Sequence, residues 1–201
     1  MLALMRHGET AWSREKRIQG RTDIALCDIG RVKLRKLMLP EACRDLRILC
    51  SPLVRCVETA TLLRLKDVVH DDRLAEMRWG TWEGRRLEEL RAELGEAMLE
   101  NEQRGFDFTP PRGESPRDVL TRVSELLAEV AAKRRPTLAI AHRGVIRVIF
   151  ATACGWDMCG RPPLKLDWDA VHMFELDAAG RPSMLRMNVP LVARSRGVNS
   201  R

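Results

Sequence analysis

Two short apolar segments of this chain end in the same three residue types: histidine, arginine and glycine. The resulting triplets are Arg6-His7-Gly8, after residues 2–5, and His142-Arg143-Gly144, after residues 137–141. A single histidine after a strand is usually a hydrogen-bonded turn residue, but an imidazole can also act as a nucleophile or carry a proton. A neighbouring guanidinium offers a planar set of donors that matches phosphate. Because the chain has only four histidines, the repetition favours a shared chemical site for an anion.

The apolar segments before the triplets have the length and composition of buried strands, and glycine stands where each chain must turn. In open α/β sheets, ligands bind in the crevice at the carboxyl ends of the strands. Both triplets would therefore lie at the edge of the sheet that binds a ligand. The sequence predicts that His7 and His142 meet there from distant parts of the chain.

Strand-like and helical segments alternate along the chain. Strands are predicted at residues 2–5, 46–50, 68–70, 137–141, 171–176 and 183–187, and helices at residues 28–38, 52–63, 87–98, 116–133 and 145–153. The last two strands form a hairpin, and residues 11–27 are predicted to be a loop. This order predicts an α/β fold, a three-layer α/β/α sandwich with a mostly parallel central sheet and an antiparallel edge strand. We assign residues 1–193 to one domain and residues 194–201 to a basic flexible tail.

The composition is that of a globular protein with a basic surface. The chain has 201 residues and a net charge of +7, but the basic residues are spread along it and aromatic residues are sparse, so we expect no nucleic-acid partner. No apolar stretch is long enough to cross a bilayer and no signal peptide is recognised, so we expect a cytoplasmic protein without membrane association. The six cysteines lack CxxC spacing and are predicted to be reduced thiols rather than a zinc site.

Four separated motifs resemble those of the histidine phosphatase superfamily, the phosphoglycerate-mutase-like group named for its Arg-His-Gly turn. They are Arg6-His7-Gly8-Glu9-Thr10, Ser51-Pro52-Leu53-Val54-Arg55 with Glu58-Thr59-Ala60, Glu76 with Trp79-Gly80-Thr81-Trp82-Glu83-Gly84, and Ala141-His142-Arg143-Gly144-Val145-Ile146-Arg147. The resemblance extends from residue 1 to about residue 150. One such motif is a weak signal, whereas four in the family's order are a specific one.

The resemblance implies catalytic roles for three residues. His7 would be the nucleophile that forms a phosphohistidine, which water then hydrolyses. Its ring must be neutral to attack, so its other nitrogen needs a fixed partner such as a backbone carbonyl. Glu76 would protonate the leaving oxygen and then activate water, while His142 would face the transferred phosphoryl group. Glu83, in the same motif as Glu76, is interpreted as structural.

The resemblance also implies a set of phosphate-binding residues, namely Arg6, Arg55, Gly8, Ser13 and Arg143. Guanidinium groups would oppose the charge of the phosphoryl group, and a glycine would let the backbone approach it. Two members of the set depart from the family's pattern. Ser13 stands where many members carry Asn, so its contact would be shorter or water-mediated. Arg143 stands where a small residue is common, so it would either add a cation at the rim of the site or point outward.

Hydrolysis is favoured over two other functions. Mutases of the family carry a long insertion, whereas residues 84–113 hold only one predicted helix and a Pro-rich connection. The Trp-Gly-x-Trp-Glu-Gly motif also resembles the phosphatase branch, which includes the α-ribazole phosphatases. We therefore predict a metal-independent phosphomonoester hydrolase that needs no cofactor and acts on a small phosphorylated metabolite. The alternatives are a phosphoglycerate-type mutase and a non-catalytic phosphate- or nucleic-acid-binding protein. The substrate and the oligomeric state, with a homodimer among the alternatives, are left open.

Overall fold

Strands and helices alternate in the computed structural model, which describes residues 1–194. The strands are β1 (Leu2–Arg6), β2 (Leu37–Met38), β3 (Arg47–Cys50), β4 (Val69–His70), β5 (Thr137–Ala141), β6 (Ala170–Leu176), β7 (Pro182–Pro190) and β8 (Val192–Ala193). The α-helices are α1 (Ala11–Arg14), α2 (Asp28–Arg35), α3 (Val54–Leu62), α4 (Leu87–Leu94), α5 (Glu96–Glu102), α6 (Pro116–Lys133) and α7 (Arg143–Cys154). Of the predicted basic tail, residues 195–201 lie outside the described part of the chain. Within residues 1–194, no helix combines the length and apolarity needed to cross a membrane.

Six of the strands form one mixed sheet in the order β4-β3-β5-β1-β6-β7, while β2 and β8 form a separate pair. Strands β4, β3, β5 and β1 are mutually parallel. Strand β6 runs antiparallel to β1 and pairs with β7 as the predicted hairpin, which occupies one edge of the sheet. The α/β fold with a mostly parallel sheet and antiparallel pairing at one edge is therefore confirmed.

Both faces of the sheet are covered by helices, which explains why β1 is apolar throughout. Leu2 and Leu4 pack in one core with α6 and α7, whereas Ala3 and Met5 pack in a second core with α2 and α3. Successive side chains of a strand point to opposite faces, so a strand between two helix layers is apolar on both. Packing on both faces fixes the position of β1 in the sheet, and with it the position of the residues that follow its carboxyl end.

Two helices end where the sequence did not predict. Helix α2 stops at Arg35 rather than at residue 38, because residues 37–38 leave the helix to pair with β8. The predicted helix 87–98 is divided into α4 and α5 at Gly95, whose φ of 52° and ψ of −121° lie outside the α-helical region. In both cases the spacing of apolar residues predicts a longer helix, but the backbone leaves the helical conformation before the pattern ends.

The start of α3 also differs from the prediction that Pro52 is its first residue. The helix begins at Val54, and the side chain of Asp23 accepts a hydrogen bond from the Val54 N–H at 2.8 Å. A side-chain oxygen at this position satisfies an N–H that the helix itself leaves unpaired. Asp23 belongs to the predicted loop 11–27, in which residues 11–14 form the short helix α1. By contrast, α6 starts as predicted, with Ser115 and Asp118 capping each other reciprocally.

Candidate active site

The two histidines of the sequence triplets lie side by side. Strands β1 and β5 are neighbours in register, with Arg6 opposite Ala141, and the N–H of His7 donates to the Ala141 carbonyl at 3.1 Å. The strands therefore end at the same level, and the ring centroids of His7 and His142 are 5.1 Å apart. Their side chains are buried, with relative exposures of 4% and 0%. The predicted meeting of the two imidazoles is confirmed.

The ring of His7 is held in one tautomer. Its Nδ1 lies 2.7 Å from the carbonyl oxygen of Gly8, which can only accept, so Nδ1 carries the proton and Nε2 keeps its lone pair. Burial, followed by the charges of Arg6 and Arg55, holds the pKa of His7 well below its ordinary value of 6.5. The imidazole is therefore neutral at neutral pH, with a nitrogen lone pair available for attack.

His142 is held from both sides. Its Nδ1 accepts the Nε–H of Arg55 at 3.2 Å, so the proton of the neutral ring resides on Nε2, which lies 2.7 Å from Ser51 Oγ. The Sγ of Cys56 lies 3.4 Å from the same nitrogen. Burial, then the charge of Arg55, lowers the pKa of His142 well below its ordinary value. His142 is consequently a neutral group whose single N–H points at Ser51.

Sequence reasoning missed the contacts of Ser51 and Cys56 with His142. Both residues lie in or beside a recognised motif, but their own types suggest only packing. A usable signal was their position, because Ser51 follows the last residue of β3 and β3 is the neighbour of β5 in the sheet. Residues at the carboxyl ends of adjacent parallel strands meet at one edge.

Arg55 is the most deeply buried cation of the site, with 0% of its surface exposed. Besides donating to His142, it donates from Nη1 to the carbonyl of Thr22 at 2.9 Å and from Nη2 to the carbonyl of Gly20 at 2.8 Å. Burial lowers its pKa, although the nearby carboxylate of Glu76 opposes this effect. Arg55 thus ties the loop of residues 20–22 to the second histidine.

The same loop is fixed from its other side by Glu83. The carboxylate of Glu83 accepts hydrogen bonds from the backbone N–H groups of Arg21, Thr22 and Trp79, at 2.9, 2.9 and 3.1 Å. These contacts join the loop to the Trp-Gly-x-Trp-Glu-Gly motif. They agree with the structural role predicted for Glu83 and leave Glu76 as the carboxylate beside the histidines.

Glu76 lies at the amino end of α7. Only 9% of the residue is exposed. Its carboxylate accepts hydrogen bonds from the backbone N–H of Gly144 at 3.0 Å and from the backbone N–H of Met77 at 2.8 Å. A Cβ on Gly144 would lie 2.4 Å from Oε1 of Glu76. The glycine is therefore required so that the carboxylate can reach the helix terminus, where N–H groups and the helix dipole stabilise negative charge.

Arg6 places a positive charge near the carboxylate of Glu76. Its side chain is half-buried, and its Nε is buried without a hydrogen-bond partner in residues 1–194. Burial, then the charge of Arg143, lowers its pKa. A buried donor without a partner is costly, so the geometry at Arg6 suits an anionic ligand that accepts from it.

Arg143, the first residue of α7, lies against an aromatic ring. Its side chain is exposed, and its guanidinium carbon is 5.0 Å from the ring centroid of Trp168. The charge of Arg143 contributes to lowering the pKa of Arg6, and a phosphate contact of Arg143 stays a prediction.

Gly8 and Ser13 were predicted to contact phosphate, and in the structure both make contacts within the protein. The Gly8 N–H donates to Thr59 Oγ1 at 2.9 Å, and a Cβ on Gly8 would lie 2.6 Å from a methyl carbon of Leu34. Ser13 Oγ donates to the carbonyl of Thr10 and accepts from its N–H, both at 2.9 Å. Gly8 is thus explained by packing and Ser13 by helix capping, and phosphate contacts of either residue stay predictions.

All six cysteines are free thiols in the structure. Within residues 1–194, no three His, Cys, Asp or Glu side chains are arranged to hold a metal ion. The site thus contains the neutral imidazoles of His7 and His142, the carboxylate of Glu76 and several guanidinium groups.

Comparisons with known proteins agree with this geometry. The chain matches the family model of the histidine phosphatase superfamily (branch 1) over residues 2–190. It is 31% identical over 168 residues to 2,3-bisphosphoglycerate-dependent phosphoglycerate mutase 2 of Gloeobacter violaceus, covering 74% of this chain and 73% of that protein. It is 30% identical over 177 residues to glucosyl-3-phosphoglycerate phosphatase of Mycobacterium tuberculosis, covering 81% of this chain and 79% of that protein.

A solved structure extends the comparison to the fold. The mycobacterial glucosyl-3-phosphoglycerate phosphatase has a TM-score of 0.75 with this structure at 26% identity, covering 94% of this chain and 98% of that one. Fold, motif order and sequence similarity thus agree over nearly all of the described chain. The protein belongs to the histidine phosphatase superfamily.

Proposed function

We propose that the protein is a metal-independent phosphomonoester hydrolase that acts on a small phosphorylated metabolite through a phosphohistidine on His7. The observation that carries the proposal is the hydrogen bond from His7 Nδ1 to the Gly8 carbonyl. It leaves the lone pair of Nε2 free in a buried site, next to Arg6, whose Nε–H has no hydrogen-bond partner within residues 1–194. A nucleophile is activated in this way when its other nitrogen is fixed and the ring stays neutral.

In the first step, the lone pair of His7 Nε2 forms a bond to phosphorus while the bond from phosphorus to the ester oxygen breaks. The electron pair of the broken bond passes to the ester oxygen, which takes a proton from the carboxylic acid form of Glu76 and leaves as an alcohol. In the second step, Glu76 accepts a proton from water, whose oxygen bonds to phosphorus as the bond to His7 breaks. The balance is one ester and one water converted to one alcohol and one phosphate.

Charge on the transferred group is opposed by Arg6, Arg55 and His142. Phosphoryl transfer is catalysed mainly by such positioning and charge stabilisation. Arg6 supplies its Nε–H, which has no partner in the described part of the chain. Arg55 supplies its charge and those N–H groups that it does not donate to the loop or to His142. His142 supplies its Nε2–H, which a phosphoryl oxygen would share with Ser51.

A mutase is the second candidate, because several of the similar proteins are named as phosphoglycerate mutases. Hydrolysis is favoured by the segment between Gly84 and Gly113. It holds only the short helices α4 and α5 and one 3₁₀ turn, Gly105–Asp107, rather than the long insertion of the mutases. A hydrolase transfers the phosphoryl group from His7 to water and releases inorganic phosphate, whereas a mutase transfers it to a phosphoglycerate.

The first experiment measures hydrolysis of p-nitrophenyl phosphate with and without EDTA. We expect turnover that survives EDTA and is lost in His7→Ala, and retained in His70→Ala, whose histidine is exposed on the edge strand β4. A ³²P-labelled substrate should leave an acid-labile adduct on the wild type but not on His7→Ala. Turnover that requires added metal, or persists in His7→Ala, would contradict the proposal.

A screen of sugar phosphates, nucleotides, phosphoglycerates, phosphoserine and α-ribazole phosphate then identifies the substrate. If none is hydrolysed and the protein instead binds heparin in a salt-sensitive manner, it is the non-catalytic binder rather than an enzyme.

A further inference from the structure

Two arginines of α7 have their guanidinium groups over the rings of tryptophans in the segment that follows the helix. The guanidinium carbon of Arg143 is 5.0 Å from the ring centroid of Trp168, and that of Arg147 is 5.2 Å from the ring centroid of Trp156. A guanidinium over an aromatic ring is stabilised by the ring electrons, and the contact limits the directions in which its N–H donors point. Neither guanidinium takes part in an ion pair or hydrogen bond within residues 1–194, so the donors of both are unused by the described protein.

Of the two arginines, Arg143 stands beside the candidate active site. It follows His142 directly and precedes Gly144, whose N–H holds the carboxylate of Glu76. Its charge acts on Arg6, whose pKa is lowered by burial and then by Arg143. Like charges placed close together are unfavourable unless an anion lies between or beside them. The first turn of α7 therefore adds a second cation that, like Arg6, forms no direct ion pair within residues 1–194, although the nearby carboxylate of Glu76 opposes the lowering of the pKa of both arginines.

The depth of the cations indicates which part of a substrate each one meets. Arg55 is fully buried behind His142, Arg6 is half-buried, and Arg143 is exposed. A phosphoryl group on His7 would lie at the level of Arg6, with the ester oxygen directed to Glu76. The alcohol portion would then leave past Gly144, which is next to Arg143 on the same helical turn.

We propose that Arg143, stacked on Trp168, binds a second anionic group, a carboxylate or a second phosphate, carried by the alcohol portion of the substrate. This inference rests on the proposed function, because it places the phosphoryl group at His7. It names Arg143 as a specificity-determining residue and restricts the preferred substrates to phosphomonoesters with two anionic groups. Arg147 lies one helical turn beyond it, about 6 Å farther along the axis, and is too remote to serve the same group.

The test compares substrates that differ only in the second anion. Glycerol 3-phosphate and 3-phosphoglycerate differ by a carboxylate, and fructose 6-phosphate and fructose 1,6-bisphosphate differ by a phosphate. We expect the wild type to prefer the doubly anionic member of at least one pair, which also identifies the group recognised. Arg143→Gln should reduce that preference about 10- to 100-fold, the size expected for one charge-assisted hydrogen bond.

Two further variants separate recognition from general damage. Trp168→Leu keeps an apolar side chain but removes the stacking platform, so it should weaken the preference by less than Arg143→Gln does. Arg147→Gln removes an equally stacked guanidinium on the same helix and should change neither kcat/KM nor the preference by more than about twofold, since it lies away from the reacting groups.

The inference is overturned if the wild type shows no preference within either pair. It is also overturned if Arg143→Gln lowers kcat/KM equally for both members of a pair, which would make the phosphoryl group itself the partner of Arg143. Should no phosphomonoester be hydrolysed at all, the proposed function fails, and dissociation constants of the same four compounds decide the inference separately. A wild-type binding preference that is lost in Arg143→Gln would still support it.

Discussion

The Nε–H of Arg55 donates to Nδ1 of His142 across 3.2 Å, in a part of the protein where neither residue is exposed. This one contact fixes which nitrogen of His142 carries a proton, because an acceptor Nδ1 requires the proton of a neutral ring to be on Nε2. The orientation of the second histidine is thus determined by a cation from another helix rather than by its own strand.

Arg55→Met should remove both activity and part of the stability. The substitution leaves His142 Nδ1 and the Gly20 carbonyl without a donor, whereas the Thr22 carbonyl still accepts from the N–H of Ile24. Each buried unsatisfied group costs about 1–3 kcal/mol. We expect a loss of several kcal/mol in the free energy of unfolding, measured by urea titration. ¹⁵N chemical shifts of the His142 ring should show loss of the Nε2–H tautomer as the dominant form. An unchanged tautomer would mean that Ser51, not Arg55, selects it.

Gly144→Ala should reduce activity without reducing stability. A Cβ at this position would lie 2.4 Å from Glu76 Oε1, so the carboxylate must move away from the amino end of α7. Loss of a positioned general acid lowers rates by about 10²–10⁴-fold, and the loss should be greater for alkyl phosphates than for p-nitrophenyl phosphate, whose leaving group needs less protonation.

The matched control for this variant is Gly155→Ala. Gly155 ends α7 with a φ of 70°, and nothing lies within 4 Å of a Cβ built there. Alanine is strained in that conformation, so about 1 kcal/mol of stability should be lost with kcat/KM unchanged. If Gly144→Ala and Gly155→Ala reduce activity alike, the contact with Glu76 does not matter for the reaction.

The location of the site was predictable from sequence because it depends on where two buried parallel strands end in the sheet. Apolar segments that stop at His7 and His142 predict two buried strands, and parallel strands in one sheet present their carboxyl ends at one edge. The local cap of α6 was predictable for a similar reason, since Ser115 and Asp118 are three residues apart and satisfy each other.

The features that sequence missed depend on contacts between distant residues. Ser51 and Cys56 touch His142 only because β3 lies beside β5. Gly8 was predicted to contact phosphate, which stays a prediction, and sequence did not show that its missing side chain also makes room for Leu34 on another helix. Residue type and spacing describe what a residue can do, whereas a packed neighbour decides which of these contacts it makes.

The free energy of unfolding should fall as the pH is lowered from about 7 to 5. Burial is the main cause that holds the pKa values of His7 and His142 well below 6.5 in the folded protein. In this range the unfolded chain binds protons that the folded protein does not, so folding stability is present above the unfolded pKa and is lost as the pH falls. The slope is at most about 1.4 kcal/mol per pH unit for each histidine.

Urea titrations across this pH range check the prediction. The double variant His7→Gln/His142→Gln should have a shallower slope than the wild type. Gly155→Ala, which loses stability but no titrating group, should keep the wild-type slope. Equal slopes in the double variant and the wild type would mean that the two rings are protonated in the folded protein as readily as in the unfolded chain.

Asp23→Ala should destabilise the protein by about 1 kcal/mol, the usual cost of removing a helix cap. The Asp23 side chain accepts from the N–H of Val54 at the start of α3, and Arg55 is the next residue of that helix. We therefore expect kcat/KM to fall as well, because the cap positions the turn that presents Arg55 to His142. Asp28→Ala removes an exposed carboxylate from the first turn of α2 and should change stability by less than about 0.5 kcal/mol. A lower stability with unchanged kcat/KM in Asp23→Ala would show that Arg55 is held by its own hydrogen bonds and not by the start of the helix.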